Sequence, residues 1–333
     1  MFLMFRCCAT RLALGLLVCA AFATVAGCNG SAAKGPKRLR IAVIPKGTSH
    51  DFWFSVRAGV EKAAAEFADV DVTWKGPTSE GDTADQIKMV ESFLADNFDG
   101  ICLAPVDAVA LRKPVELALS AKVPVVIFDS GLTDLSGVTS YVATNNYRGG
   151  QRAGEYLAEL LSGKGNLILL RYDLTSQSTE EREKGFLDAV SKHPELKLLV
   201  ADKYAGPLES GAIQLSESLL TQFGDQVQGV FCPNQSTTSG MLTALRRAGL
   251  AGKVKFVGFD AGENIAEGLK SGEVNGTILQ DPVAMGYDTV RVMRDKLQGR
   301  TPIERLEIAE ALATSKNFEA PKIHELLYPP ASE

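Results

Sequence analysis

Short apolar runs alternate with helix-length stretches along nearly the whole sequence, and the alternation runs through twice. Apolar runs fall at 39–44 (LRIAVI), 70–74, 100–103, 123–128 (VPVVIF) and 138–142, and the series begins again at 166–170 (NLILL), 197–200, 229–232, 254–259 (VKFVGF) and 275–279. Strands of this length separated by helices predict parallel sheets covered on both faces. The helical stretches agree. Phe52, Val56, Val60, Ala63 and Phe67 recur every three or four residues, as do Leu215, Leu219, Leu220 and Phe223, with Gly224 placed to stop the second helix.

Two segments also echo each other. GICLAPVDAVALRKPVELALSAKVPVVIFD (100–129) and GVFCPNQSTTSGMLTALRRAGLAGKVKFVGFD (229–260) share one scheme: Gly, apolar strand, Pro-containing turn, helix, Lys-Val, apolar strand, terminal Asp. A length of 333 residues suits two domains at roughly 100–200 residues each. The expected fold class is therefore α/β, with two similar doubly wound parallel-sheet domains. Asp129 and Asp260 end matched strands, and ligands of open α/β sheets bind at the carboxyl ends of strands. Two sheets facing each other there would enclose a cleft.

The residues before the first strand follow other rules. Arg6 and Arg11 flank the start of an apolar run from Leu12 to Val25, shorter than the roughly 20 residues a membrane-spanning helix needs. Residues 1–28 read as a secretion signal. Its end, Val25-Ala26-Gly27-Cys28, resembles the bacterial lipobox, which makes Cys28 the expected lipidation site. NGSAAKGPK at 29–37 reads as a flexible tether. Of six cysteines, Cys7, Cys8 and Cys19 would leave with the signal, and Cys102 and Cys232 sit in apolar strands as buried free thiols.

Several chemistries find no support in the sequence. A formal charge of −5 without long runs of one sign gives no attraction to nucleic acid or to an acidic membrane surface. No phosphate loop, no dinucleotide fingerprint after a strand and no nucleophile elbow occur, and GGQRAG at 149–154 has the wrong spacing. His50, His193 and His324 are scattered without a second metal ligand at helical spacing. No cofactor and no metal are expected, and a small neutral ligand fits better than a polyanion.

IPKGTSHDFW, VVIFDSG, VATNNYRGG, EEREKGF, FCPNQSTTSGMLTAL, VGFD and ILQDPVAMG occur in that order between about 38 and 310. In this the chain resembles the periplasmic sugar-binding proteins of ABC transporters, the ribose-binding group in particular, with the type I periplasmic binding protein fold. The resemblance implies ligand-binding roles. Phe52 and Trp53 would sandwich the sugar ring, whose C–H faces are apolar. His50 stands where the family often has an amide that binds hydroxyls. Asp129 and Asp260 would accept from hydroxyls, Arg182 would donate a fork of bonds, and Asn234 and Gln280 would supply amides that both donate and accept. Where the ribose binders have an arginine after the first strand-end aspartate, this chain has Ser130, which implies a larger or differently configured sugar. Tyr204, in ADKYAGPLESG, would add a wall to the pocket.

On this reading residues 38–143 with 282–308 form one lobe, and 146–279 with 310–333 the other. Thr144, Asn145, Asn146, Gln280 and Asp281, with a third crossing at 309–310, would be hinges. The expectation is a monomeric, lipid-anchored protein on the periplasmic face that delivers a monosaccharide to an ABC permease. Two other readings use the same residues: a receptor presenting a sugar or furanosyl signal to a membrane sensor, and an exported sugar-processing enzyme with the two aspartates as acid and base.

Overall fold

A computed structural model describes residues 38–330; the expected signal segment, Cys28, the tether and residues 331–333 lie outside the described residues. The first lobe is built from β1 (Leu39–Ile44), α1 (Asp51–Glu66), β2 (Val70–Trp74), α2 (Thr83–Ala95), β3 (Gly100–Leu103), α3 (Arg112–Ser120), β4 (Val125–Phe128) and β5 (Ser140–Thr144). The second follows with α4 (Asn146–Leu160), β6 (Lys164–Arg171), α5 (Gln177–Val190), β7 (Glu195–Tyr204), α6 (Glu209–Phe223), β8 (Gly229–Phe231), α7 (Gln235–Arg247), β9 (Lys255–Phe259), α8 (Glu263–Ser271) and β10 (Gly276–Leu279). Then come α9 (Pro282–Leu297), β11 (Arg305–Ile308), β12 (Ala311–Thr314) and α10 (Pro321–Leu327).

The two sheets have one topology. Their strand orders are β11-β5-β4-β3-β1-β2 and β12-β10-β9-β8-β6-β7, so each strand of the first has its counterpart in the second. All ten strands expected from the sequence are present, with ends moved by a few residues. The outermost pair was not expected. β11 and β12 are short and partly exposed, and the Arg305–Ile308 strand carries charge, as suits edge strands. They also break the symmetry: β11 lies parallel to β5, whereas β12 runs antiparallel to β10.

Inner strands are buried on both faces, which is why they read as unbroken apolar runs rather than alternating ones. In the first lobe Val43, Trp53, Phe128 and Val142 pack on one side of the sheet, while Ile44, Ile101, Leu103 and Ile127 pack on the other. Burying one such aliphatic side chain contributes about 1.5–3 kcal/mol. Cys102 and Cys232 are buried free thiols.

The helices beside the cleft come unusually close. A Cβ on Gly59 would stand 2.0 Å from the Val283 carbonyl oxygen, and one on Gly286 would stand 2.0 Å from that of Val56, so α1 and α9 meet through facing glycines. Gly150 and Gly185 do the same for α4 and α5, against the carbonyl oxygens of Arg182 (1.9 Å) and Tyr147 (2.0 Å). The chain passes between the sheets three times: after β5, between β10 and α9, and between β11 and β12. No helix among the described residues is long and apolar enough to cross a membrane.

Candidate functional site

Asp129 and Asp260 sit one residue beyond β4 and β9, and both adopt the left-handed backbone conformation, with φ of 61° and 71°. Aspartate tolerates that region better than most residues, yet it is uncommon outside glycine. Each backbone N–H is held by the neighbouring strand, Asp129 by the Val142 carbonyl (2.9 Å) and Asp260 by that of Ile278 (2.8 Å). The twist turns both carboxylates into one chamber between the lobes.

Each carboxylate has a cation from its own lobe. Lys46 Nζ lies 3.4 Å from Asp129, and Arg182 Nη1 lies 3.8 Å from Asp260. All four side chains are almost fully buried. Burial raises both carboxyls above their ordinary range, and the Lys46 and Arg182 charges oppose it. Arg182 is fixed from three sides: Nε donates to Asn146 Oδ1 (2.8 Å), Nη1 donates to the Pro233 carbonyl (3.0 Å), and the guanidinium lies 3.9 Å from the Phe259 ring centre. Stacking on an aromatic face is a cation–π arrangement.

Gln280 ties this centre to the crossings. It accepts from Thr144 Oγ1 (2.7 Å) and donates through Nε2 to Asp260 (2.6 Å). Asp260 also accepts from the Gln235 backbone N–H (2.9 Å). Asn145 and Asp281 cap α4 and α9 by accepting from backbone N–H groups, and buried Asn146 opens α4. At the third crossing Glu310 accepts two bonds of 2.7 Å from Arg148.

Seven further residues line the chamber, Lys46, Glu80, Tyr172, Ser176, Ser178, Thr179 and Gln235, and Lys46, Glu80 and Tyr172 make most of its added polar contacts. Glu80, from the loop after β2, accepts from Trp53 Nε1–H (2.8 Å), pairs with His50 Nδ1 (2.9 Å) and accepts from the Tyr172 hydroxyl of the other lobe (2.7 Å). Burial alone would raise its carboxyl; the His50 bond and charge, with Lys46 and Trp53 behind them, outweigh burial and hold it at about 2. Lys46 likewise reaches across the cleft to Ser176 (3.1 Å) and Ser178 (3.2 Å).

The structure reassigns several expected residues. Phe52 and Trp53 both line the chamber, but Trp53 is 2% exposed and packs edge-on against Phe128, so its ring is set in the first-lobe core, while Phe52 is half-buried. The three-to-four-residue spacing of Val56, Val60 and Ala63 fits Trp53 as well as Phe52, and both rings pack on the first-lobe core. His50, Arg182, Asn234 and Gln280 line the chamber with both aspartates. Asn234 spends its carbonyl oxygen on a capping box for α7, accepting from the Thr237 backbone and hydroxyl. Ser130 and Tyr204 fall outside the lining. Ser130 Oγ accepts from the Ser178 backbone N–H across the cleft (3.1 Å), and Tyr204, at the end of edge strand β7, accepts from Arg171 (2.9 Å). Tyr172 supplies the ring that was expected from Tyr204.

Comparison with known proteins agrees with this fold. A family profile described as "Periplasmic binding protein domain" matches residues 41–301. The D-ribose/D-allose-binding protein of Pseudomonas aeruginosa is 28% identical over 293 residues, 86% of this chain and 90% of that protein. The D-allose-binding periplasmic protein of Escherichia coli is 27% identical, over 76% of this chain and 83% of that one. Among solved structures, a solute-binding protein of an ABC transporter from Agrobacterium vitis with bound D-fucose aligns with TM-score 0.84 and 28% identity, over 87% of this chain and all of that one (100%).

Proposed function

This chain belongs to the ribose-binding-like branch of the periplasmic binding proteins, and on that premise we propose that it carries a monosaccharide between its lobes to a membrane permease. The observation that carries the reading is the chamber itself: two buried cation–carboxylate pairs, one from each lobe, beside the half-buried ring of Phe52. A sugar hydroxyl donates one bond and accepts others, so carboxylates and cations side by side satisfy it in both senses. The ring face of a sugar is apolar and packs on an aromatic. Names of related proteins point the same way: ribose, allose and fucose are aldoses.

Bonds from Lys46 to Ser176 and Ser178 and from the Tyr172 hydroxyl to Glu80 hold the two lobes together over the chamber. Loading therefore needs the lobes to part about the crossings at Thr144–Asn146, Gln280–Asp281 and 309–310, and a ligand that touches both lobes favours the closed state by its differential affinity. A permease would read that closed shape. A lipid on Cys28 would hold the protein at the membrane on the periplasmic side. No catalytic step is assigned, because Asp129 and Asp260 are each paired with a cation instead of being poised one as acid and one as base.

A thermal-shift screen of pentoses and hexoses tests the reading. A ligand at 100 times its dissociation constant adds about 2.7 kcal/mol of stability. At least one free sugar should raise the melting temperature and be recovered unchanged. If none does, the sugar reading is wrong; if the sugar is consumed, the protein is an enzyme.

A further inference from the structure

Beside the polar chamber lies a second cavity of about 320 Å³, between the start of α1, the turn after β9, the crossing into α9 and the C-terminal segment after α10. It shares three residues with the chamber: Phe52, Asp260 and Gln280. Its remaining surface is mainly apolar, from Ala261, Pro282, Leu326, Leu327, Tyr328 and Pro329, with Ser55 and the exposed carboxylates Asp51 and Glu263 as the polar exceptions. Leu326 and Leu327 belong to the core of the second lobe, so that wall is fixed. Tyr328 is 40% exposed and forms the outer edge. Lys322 of α10 is tied to Asp281 at the crossing (2.9 Å), which holds the segment over the cavity.

A sugar hydroxyl pressed against the Leu326, Leu327 and Pro329 side would lose its water partners and find no polar side chain from those residues in exchange. The cavity therefore suits a carbon group. Because it meets the chamber at Phe52, Asp260 and Gln280, that group is one attached to the sugar. An engineered apolar cavity of about 150 Å³ holds benzene, so this one has room for an aromatic ring with a short substituent.

We propose that the protein takes a glycoside whose apolar aglycone, about the size of one aromatic ring, occupies this second cavity while the sugar sits in the polar chamber. The inference rests on the sugar-binding reading of that chamber and narrows its substrate class.

The test is calorimetric titration with free glucose, galactose, xylose and ribose and with the matched methyl and phenyl glycosides of each, in both anomers. For at least one sugar the phenyl glycoside should bind about 10–100-fold more tightly than the methyl glycoside, the range expected for burying a phenyl-sized group. Tyr328→Ala, at the exposed edge, should remove part of that gain, and Ala261→Phe, which fills the cavity, should remove all of it. Both should leave binding of the free sugar unchanged. If free sugars bind but phenyl glycosides bind no better than methyl glycosides, or are excluded, the inference falls and the sugar reading stands. If no free sugar and no glycoside binds, both fall together.

Discussion

Each lobe brings one buried ion pair to the chamber, and the two are held in different ways. Asp260 in the second lobe is met by Arg182, Gln280 and the Gln235 backbone, all from its own lobe or the crossing beside it. Arg182 in turn is anchored on Asn146, Pro233 and Phe259. Asp129 in the first lobe has Lys46 as its one side-chain partner among the described residues, and Lys46 spends its other bonds on Ser176 and Ser178 across the cleft. The second lobe therefore holds its half of the site ready-made. The first lobe completes its half when the lobes meet. A binding protein with one preorganised jaw loses less freedom when the ligand arrives.

The largest effect should come from removing the two cations in turn. Arg182→Met leaves Asp260 buried without its charge partner and strips the acceptors Asn146 Oδ1 and the Pro233 carbonyl. Breaking a buried pair from one side costs about 3–5 kcal/mol, so unfolding stability in urea should fall by that amount, together with sugar binding. Lys46→Met should weaken sugar binding strongly but lower unfolding stability by no more than about 1 kcal/mol, because parting of the lobes lets water reach Asp129. Equal losses of stability in the two variants would erase the distinction between the lobes.

The glycine contacts sharpen the same comparison at smaller cost. A methyl group at Gly286 pushes α9 from α1, and one at Gly150 pushes α4 from α5; each overpacked contact costs about 1–3 kcal/mol. In Gly150→Ala the strained neighbour is the carbonyl of Arg182 itself. Both variants should melt earlier, and Gly150→Ala should also weaken sugar binding by about tenfold, a loss of roughly 1.4 kcal/mol. Gly286→Ala, on the helix pair of the other lobe, should bind sugar normally once folded.

These differences show where the sequence speaks and where it is silent. Duplication was legible because both halves repeat one order of apolar runs, and Asp129 and Asp260 stood out as strand ends. β11 and β12 gave no such signal, since RLEI and ALAT are short and only partly buried. Lys46, Glu80 and Tyr172 escaped because they lie in turns, where no periodicity says which way a side chain points. Two hints were present: a lysine in the turn directly after a strand, and an acid in PTSEGD where the chain comes back towards the cleft. The depth at which Trp53 is buried has another cause. A helix face is wide enough to accept either neighbour, and the hydrogen bond from the indole N–H to Glu80 is a tertiary contact that sequence spacing does not contain.

A lesser effect should follow from Tyr172→Phe, which deletes only the hydroxyl bond to Glu80 across the cleft. One such bond contributes about 0.5–1.5 kcal/mol, more when the acceptor is charged. Sugar affinity should therefore drop by roughly threefold to tenfold, with unfolding stability almost unchanged. Unchanged affinity would mean that this bond contributes nothing to closing the lobes over the ligand.

The smallest expected effect is the pH dependence of the His50–Glu80 pair, since a partly exposed ion pair contributes only about 0.2–1 kcal/mol. The Glu80 bond raises the His50 pKa above 6.5, and the Glu80 carboxyl is held at about 2. The histidine contribution is then fully present below pH 6.5 and lost as pH rises through its raised folded value. The glutamate contribution is present above about 4.5, its ordinary value, and lost as pH falls towards 2. Together they stabilise most between those limits. Glu183, whose carboxyl burial lifts to about 7, titrates in the same window with its own slope. The useful readout is therefore the difference in urea stability between the wild type and His50→Asn across pH 4 to 9. That difference should be greatest near pH 5 to 6 and shrink on the alkaline side; a flat difference curve would show that the pair carries no charge-dependent stabilisation.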